Sequence, residues 1–506
     1  MADATSRAEP VFTPLAEQQR AVELFRRREG LRIDAYAGTG KTTTLRLLAE
    51  STSGRGLYLA FNRSIATEAA SRFPKRVRCA TAHSIAFRGI RRALRYPEWK
   101  LTEALAPRTV TEAFRMPETV SFACGLVLDR QAYVSVLLKA LARFLQSSED
   151  VPSVLNVDRE GLLETLSVAA FQSFAQQAAG HVQAIWDAMQ LRDGGLPLGH
   201  DGYLKLWALS NPKAETDYIL VDEAQDMNPV LFGVLKGVQC PVVYVGDPYQ
   251  QIYEWRGAVN AMDEIVSPHH VLLAQSFRFG PEIAAAATKV LRTLGASTAL
   301  RGSAAIRSEL ARVRPDAILS RSNAGVIANL LYCLKRNVRC AVVGGTRTLQ
   351  RLLEDVLHVQ QGKAAQTPEL LGFQSWREVM SFSRDPEGEH LRGLVNLVQE
   401  HGAEPMLSAI ARCEQNEINI QVVCSTAHRA KGREWKHVHL DADFEQGFLR
   451  ASRNMGKPRE AVQDAIDAEA RLLYVGITRA SLAVSLPQDI RKRFGLRHST
   501  DQTMGP

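Results

Sequence analysis

The chain has 506 residues, 45% of them hydrophobic and 23% charged, with 62 Lys and Arg against 54 Asp and Glu for a net charge of +8. This is a globular balance, long enough for about three or four domains at ~150 residues each. It argues against a membrane-spanning protein, because no apolar run reaches the ~18 residues that a span needs. The start, MADATSRAEP, has no apolar segment of the kind a secretory signal requires. Seven cysteines (Cys79, Cys124, Cys240, Cys333, Cys340, Cys413, Cys424) form no CxxC pair, which reads as reduced thiols in a cytosolic protein. Residues 1–110 hold 20 Lys and Arg against 10 Asp and Glu, so that segment alone is +10 and the rest of the chain is −2. A basic segment on a near-neutral body suggests a polyanion-binding face. The alternative is that its arginines merely solvate helices, as in RAVELFRRR (20–28).

In chain order, residues 15–29 read as an amphipathic helix with Leu15, Ala21, Val22, Leu24 and Phe25 apolar. LRIDAY (31–36), GLYLAFN (56–62), DYILVDE (217–223), PVVYVGD (241–247) and HVLLAQS (270–276) read as strands bounded by polar turns. Residues 89–205 look mostly helical, with a weakly patterned stretch at 146–160. PEIAAAATKVLRTL (281–294) is a further helix. AILSRSN (317–323), RCAVVGG (339–345), INIQVVCST (418–426) and HVHLDAD (437–443) form a second set of strands. Strands alternating with helices predict parallel α/β sheets, and two such sets predict two sheets. The expected division is 1–88 with 206–272, interrupted by a helical insertion at 89–205. A second α/β unit, 273–345 with 416–490, carries a smaller helical insertion at 346–415. Residues 491–506 form a polar tail, expected to be mobile.

AYAGTGKTTTL (35–45) directly follows the first strand. The phosphate-loop pattern GxxxxGK[ST] finds Ala35 where its first glycine would be, but GTGKT is intact. Gly38 and Gly40 let the backbone N–H groups around Thr39 turn inward on phosphate oxygens, and the helix N-terminus near Thr43 adds its dipole. Lys41 is expected to reach the β and γ phosphates of ATP, and Thr42 to hold Mg²⁺. The bland reading is a glycine turn before an ordinary helix; a strand before and a helix after favour the phosphate loop. The apolar run YILV (218–221) ends in Asp222 and Glu223. Asp222 at a buried strand end can hold Mg²⁺ through water, and Glu223 can accept a proton from the attacking water.

GDPYQQIYEWRGA (246–258) crowds amides and large aromatic rings into one loop. With VDEAQD (221–226), it resembles the superfamily 1 DNA helicases of the UvrD/Rep/PcrA type. YLAFNRSIATEA (58–69), HDGYLKLWALSNP (200–212), GDPYQQIYEWRGAVNA (246–261) and QSFRFG (275–280) carry a closer likeness to the helicase portion of F-box DNA helicases. The likeness runs from about residue 12 to 485 with the motifs in the family's order. No F-box segment precedes residue 15, so a free-standing relative is expected. The resemblance implies two RecA-like P-loop NTPase domains with parallel sheets, each carrying a mostly helical insertion. It implies that Gln19 reads the adenine edge, with Gln18 beside it leaving the register open. Gln250 resembles the γ-phosphate sensor, Phe277 the ring stacked on adenine, and Glu434 the glutamate that meets the ribose. Arg278 and Arg479 resemble arginine fingers of the second domain, which would make hydrolysis depend on domain closure. Arginine suits that role as a planar, permanently charged donor.

Single-stranded nucleic acid is held by a basic track and aromatic platforms, at ~1–3 kcal/mol per stacked base. Phe61, Asn62, Tyr253 and Trp255 match positions that line the family's strand channel, with Trp255 as the stacking platform. His83 and His428 resemble backbone contacts, although a structural histidine is nearly as good a reading of each. Arg321 and Asn323 match a further strand-side motif. The amides and aromatics of 246–258 then become a coupling device, with Gln250 facing the nucleotide and Tyr253 and Trp255 facing the strand.

The expected activity is that of an ATP-dependent, 3′-to-5′ single-stranded DNA translocase and helicase in repair or recombination control. Its expected ligands are ATP and Mg²⁺, and its partners are single-stranded DNA, single-strand/duplex junctions, and recombinase or repair proteins, with no membrane. DNA and polarity are implied by the resemblance alone, since no 2′-OH reader is identifiable. The alternatives are an ATP-gated remodeller that strips recombinase or other proteins from DNA without productive unwinding, and an RNA helicase. The expected location is cytoplasmic, on the nucleoid in a prokaryote.

Overall fold

A computed structural model describes residues 13–159, 163, 165–252, 261–367, 369–385, 388–414, 417–453 and 458–498. The chain divides into two compact units, Met1–Asp34 with Lys41–Leu272 and Ala35–Gly40 with Leu273–Pro506.

The strands of the first unit are, in chain order, β1 (Leu31–Ala35), β2 (Gly56–Ala60), β3 (Val77–Thr81), β4 (Thr119–Ser121), β5 (Val127–Asp129), β6 (Tyr218–Val221), β7 (Val242–Gly246) and β8 (His269–Leu273). Six of them form one sheet in the order β3-β2-β6-β7-β1-β8. The pairs β1–β7, β2–β3, β2–β6 and β6–β7 are all parallel. Parallel strands are covered on both faces, which is why YILV and VVYVG are apolar throughout and every residue of β6 and β7 is buried. The phosphate loop follows β1, Asp222 and Glu223 follow β6, and Pro248–Gln250 follows β7. All three lie at the carboxyl ends of parallel strands, where open α/β sheets bind ligands.

Between β3 and β6 lie the helices Ala82–Leu94, Arg130–Gln146, Val168–Gln190 and Gly199–Leu209, with β4 and β5 paired antiparallel beside them. Arg130–Gln146 shows why this region is helical. Tyr133, Val134, Leu137, Ala140, Leu141, Phe144 and Leu145 recur at helical spacing and are buried, and Asp129 caps the start by accepting from Ala132 N. They share a core with Phe122, Phe174, Ile185, Trp186 and Met189.

The second unit adds β9 (Glu309–Leu310), β10 (Ala317–Ser320), β11 (Cys340–Val342), β12 (Val422–Thr426), β13 (Trp435–Leu440) and β14 (Ala480–Ser485), in the order β11-β12-β10-β13-β14-β9. Its pairings are also parallel. The helices Asn323–Lys335, Arg347–Gln360, Arg392–His401 and Ala403–Ile410 pack around Leu330, Leu353, Val356, Met406 and Ile410. All seven cysteines are free thiols, and Cys333, Cys340, Cys413 and Cys424 sit in that core. Both sheets and their parallel character agree with the α/β expectation. Among the described residues no helix is long and apolar enough to cross a membrane.

Candidate nucleotide site and strand-facing residues

Gly38 and Gly40 take the left-handed backbone, with φ of +73° and +78°, which aims successive N–H groups to one side. A Cβ on Gly38 would lie 2.5 Å from Ser276 Oγ and 2.7 Å from Arg278 Cβ, so the position also demands glycine sterically. Thr39 is buried and its hydroxyl donates to Tyr36 O at 2.8 Å, tying the loop to itself. Ala35, at the place of the pattern's first glycine, is the last residue of β1, so a side chain there costs nothing.

The helix Lys41–Glu50 starts at once after the loop. Lys41 Nζ lies 2.9 Å from Glu223 Oε2, and Thr42 Oγ1 donates to Asp222 Oδ2 at 3.2 Å. Burial alone would pull the Lys41 pKa down. The carboxylates of Glu223, Asp247 and Asp222 outweigh it and hold the ammonium above its ordinary value. Asp222 is pushed up by burial and by the charge of Glu223, against the pull of Lys41 and of a hydrogen bond from Tyr58. Glu223 sits at φ +52°, a left-handed conformation uncommon for a residue with a side chain. Such strain is retained where the surroundings over-determine it, typically at functional sites.

Three residues that the sequence did not single out complete this cluster. Tyr58, on β2 and fully buried, donates its hydroxyl to Asp222 Oδ2 at 2.6 Å. Gln225 donates to Glu223 Oε2 at 2.6 Å, and its Oε1 accepts from Asp247 N at 3.0 Å. Asp247 Oδ2 in turn accepts from Gln250 Nε2 at 2.7 Å. Gln225, Asp247 and Gln250 are all buried, so a continuous hydrogen-bonded path joins Glu223 to Gln250. The sequence signals were present in VDEAQD and GDPYQQ, but the partners are 22 residues apart and only the adjacency of β6 and β7 brings them together.

The adenine-reading position needs correcting. Gln19 is exposed and its amide donates outward to Pro14 O at 2.9 Å. Gln18 is 1% exposed, its Nε2 donates to Thr44 Oγ1 at 3.1 Å, and its Oε1 caps Leu15 N at 3.0 Å. One residue on a helix turns a side chain by about 100°, so Gln18 is the inward amide beside the phosphate-loop helix.

In the second unit, Phe277 N donates to Gly38 O at 2.8 Å while its ring stays 45% exposed, available for stacking. Arg278 donates to Glu434 Oε2 at 2.6 Å and to Thr478 O at 3.1 Å. Arg479 is 2% exposed and donates to Val475 O, Arg433 O and Thr478 Oγ1. Both arginines therefore have acceptors in their own unit.

Phe61 is 51% exposed, directly after β2 and two residues before the exposed Arg63. Asn62 caps the next helix through Ile65 N at 2.9 Å. His83 is partly exposed, 3.8 Å from Asp201 and edge-on to Tyr203. Asn323 donates to Glu369 at 2.9 Å, and His428 is half-buried on a short helix. Arg321, expected at the strand, is instead forked onto Glu469, which accepts from its Nε at 2.9 and 2.8 Å. With Asp443 accepting its backbone N–H at 2.8 Å, Arg321 is built into the fold at this position. Tyr253 and Trp255 lie outside the described residues.

The donor set suits the ligands expected of it. Hydroxyl and carboxylate oxygens from Thr42 and Asp222 match the hard-oxygen preference of Mg²⁺, which keeps most of its shell in water and phosphate. The glycine turn and Lys41 match phosphate. The class these features define is the P-loop nucleotide-binding protein. Residues 187–265 match the UvrD/REP helicase N-terminal domain, and residues 320–486 match the UvrD-like helicase C-terminal domain. Over these two stretches the chain is similar to the UvrD-like helicases. It is 28% identical to F-box DNA helicase protein 1 of Schizosaccharomyces pombe, over 92% of this chain and 56% of that protein. It is likewise 28% identical to F-box DNA helicase 1 of Gallus gallus, over 95% of this chain and 49% of that one. Against ATP-dependent DNA helicase UvrD2 of Mycobacterium tuberculosis it is 24% identical, over 97% of this chain and 81% of the relative. The chain thus spans about half the length of the two F-box helicases it matches.

Proposed function

We propose that this chain is a DNA-dependent ATPase that translocates 3′-to-5′ on single-stranded DNA and unwinds duplexes, in DNA repair or recombination control. The observation that supports it most is the buried path Glu223–Gln225–Asp247–Gln250, which starts at a carboxylate paired with the phosphate-loop lysine. A chain that only bound nucleotide would need the loop and Lys41. A chain that converts hydrolysis into motion also needs the catalytic carboxylate tied to the element that carries its strand-facing residues, here the loop after β7. Direction rests on the family likeness, as do the partners, single-stranded DNA and its junctions with duplex. On this reading the chain works in the cytoplasm, on the nucleoid if its source is a prokaryote.

The residues divide the work as follows. Phosphate oxygens compete with Glu223 for the Lys41 ammonium, and this exchange frees the Glu223 carboxylate to take a proton from the attacking water. Mg²⁺, held by Thr42 and Asp222, would neutralise phosphate charge. Gln18 meets the adenine edge, Phe277 stacks on the ring, and Glu434 meets the ribose. Arg278 and Arg479 stabilise the charge that develops on the transferred phosphoryl group. On the strand side, Phe61 offers an exposed ring and Arg63 a charge two residues on, with Trp255 the expected platform five residues after Gln250 in sequence.

Lys41→Ala tests the site assignment. ATP turnover is expected to disappear while nucleotide-free binding of a fluorescent single-stranded oligonucleotide stays within about twofold. Retained DNA-stimulated turnover in that variant would contradict the assignment.

A further inference from the structure

We propose that Tyr58 is a positioning residue that sets the metal affinity of Asp222 and ties that carboxylate to the strand leading to Phe61. The inference rests on the reading of Asp222 as a Mg²⁺ ligand. Its own basis is a contact that the reading does not need. Asp222 offers Oδ1 to Glu223 N at 2.9 Å, and its Oδ2 receives both Thr42 Oγ1 at 3.2 Å and Tyr58 Oη at 2.6 Å. The phenol is the shortest of the three donors. It also comes from outside both the phosphate loop and the Asp222–Glu223 motif, 164 residues from Asp222 in sequence.

Tyr58 is well placed for that work. It is fully buried on β2, opposite Leu220 of β6, two residues short of Asp222. Its ring packs on Phe73 at 4.8 Å between centroids, which limits its movement. A carboxylate that accepts a fixed hydrogen bond keeps its remaining lone pairs aimed in one direction, and outer-shell partners of this kind typically alter metal affinity by 10–100-fold. Three residues on, β2 has ended and Phe61 stands exposed. A displacement of that strand end by a bound base therefore reaches the metal-holding carboxylate through one rigid side chain.

Tyr58→Phe removes only the hydroxyl and leaves the ring on Phe73. The measurement is binding of Mn²⁺, as a magnetic-resonance-visible stand-in for Mg²⁺, to the variant saturated with ADP, beside ADP binding in EDTA. Mn²⁺ affinity is expected to fall about tenfold or more, with metal-free ADP binding unchanged within twofold. The rise in ATP turnover on adding single-stranded DNA is expected to shrink in the same variant. A role confined to packing would weaken metal-free ADP binding as well, and that result, or unchanged Mn²⁺ affinity, overturns the proposal. Wild-type protein that binds no Mn²⁺ with ADP would instead overturn the metal-site reading beneath it.

Discussion

Lys41, Thr42, Asp222 and Glu223 come together because the two motifs follow parallel strands of one sheet, and each side chain has a partner within 3.2 Å. On the proposed reading, Glu223 is the base that takes the proton of the attacking water. Glu223→Gln keeps the shape and removes the base, so ATP turnover is expected to fall by about 10²–10⁴-fold. Measured nucleotide affinity should change by less than about threefold, and a loss of affinity equal to the loss of turnover would assign Glu223 to binding instead. These residues were legible in the sequence because phosphate and metal chemistry compresses them into short contiguous words, GTGKT and VDE. Tyr58, Gln225 and Asp247 were not, because their importance lies in partners on other strands. Arg321 has a partner that its motif does not reveal. Its motif suggests a strand contact, and Glu469, 148 residues away, accepts from its guanidinium. Gln18 and Gln19 differ only in which way one helix faces, and burial decides between them.

At the scale of elements, the strands that could be read were those with uninterrupted apolar runs, such as YILV and VVYV. The strand β3 was missed because VRCAT alternates, with Arg78 exposed between buried Val77 and half-buried Cys79. The edge strand β9, its neighbour β14 and the β4–β5 pair were missed because they are short or carry polar residues. The helix Gly199–Leu209, within the segment shared with F-box helicases, holds an unusual buried group. Lys205 is 2% exposed, and its ammonium is capped by Ser147 O and Glu149 O. Burial lowers its pKa to about 8, while in the unfolded chain it titrates near the ordinary 10.5. Between those values the unfolded chain binds more protons, so this group's contribution to stability rises with pH through that window. Urea unfolding of wild type and Lys205→Met should show the wild type gaining about 2 kcal/mol relative to the variant between pH 7 and pH 9.5. A pH-independent difference would show that Lys205 is not held in this environment.

Across the whole molecule, two parallel α/β sheets each interrupted by helices, a phosphate loop and two matched helicase domains agree on one class. The basic first 110 residues contribute Arg63, Lys75, Arg78 and Arg92 as exposed cations in the unit that holds the exposed Phe61. Affinity for single-stranded DNA carried by such groups falls with salt, at a slope of about −0.7 per neutralised phosphate. Fold class was legible because it needs only long apolar runs alternating with helices. Direction of travel was not, because it depends on which end of a strand is gripped first, which no single motif encodes. The most direct test is ATP- and Mg²⁺-driven unwinding of duplexes with a 3′ or a 5′ single-stranded tail, with wild type and Lys41→Ala side by side. Wild type alone is expected to unwind the 3′-tailed duplex. Equal or better unwinding of the 5′-tailed duplex would contradict the direction, and DNA-stimulated ATP turnover with no strand separation on either would contradict the helicase itself.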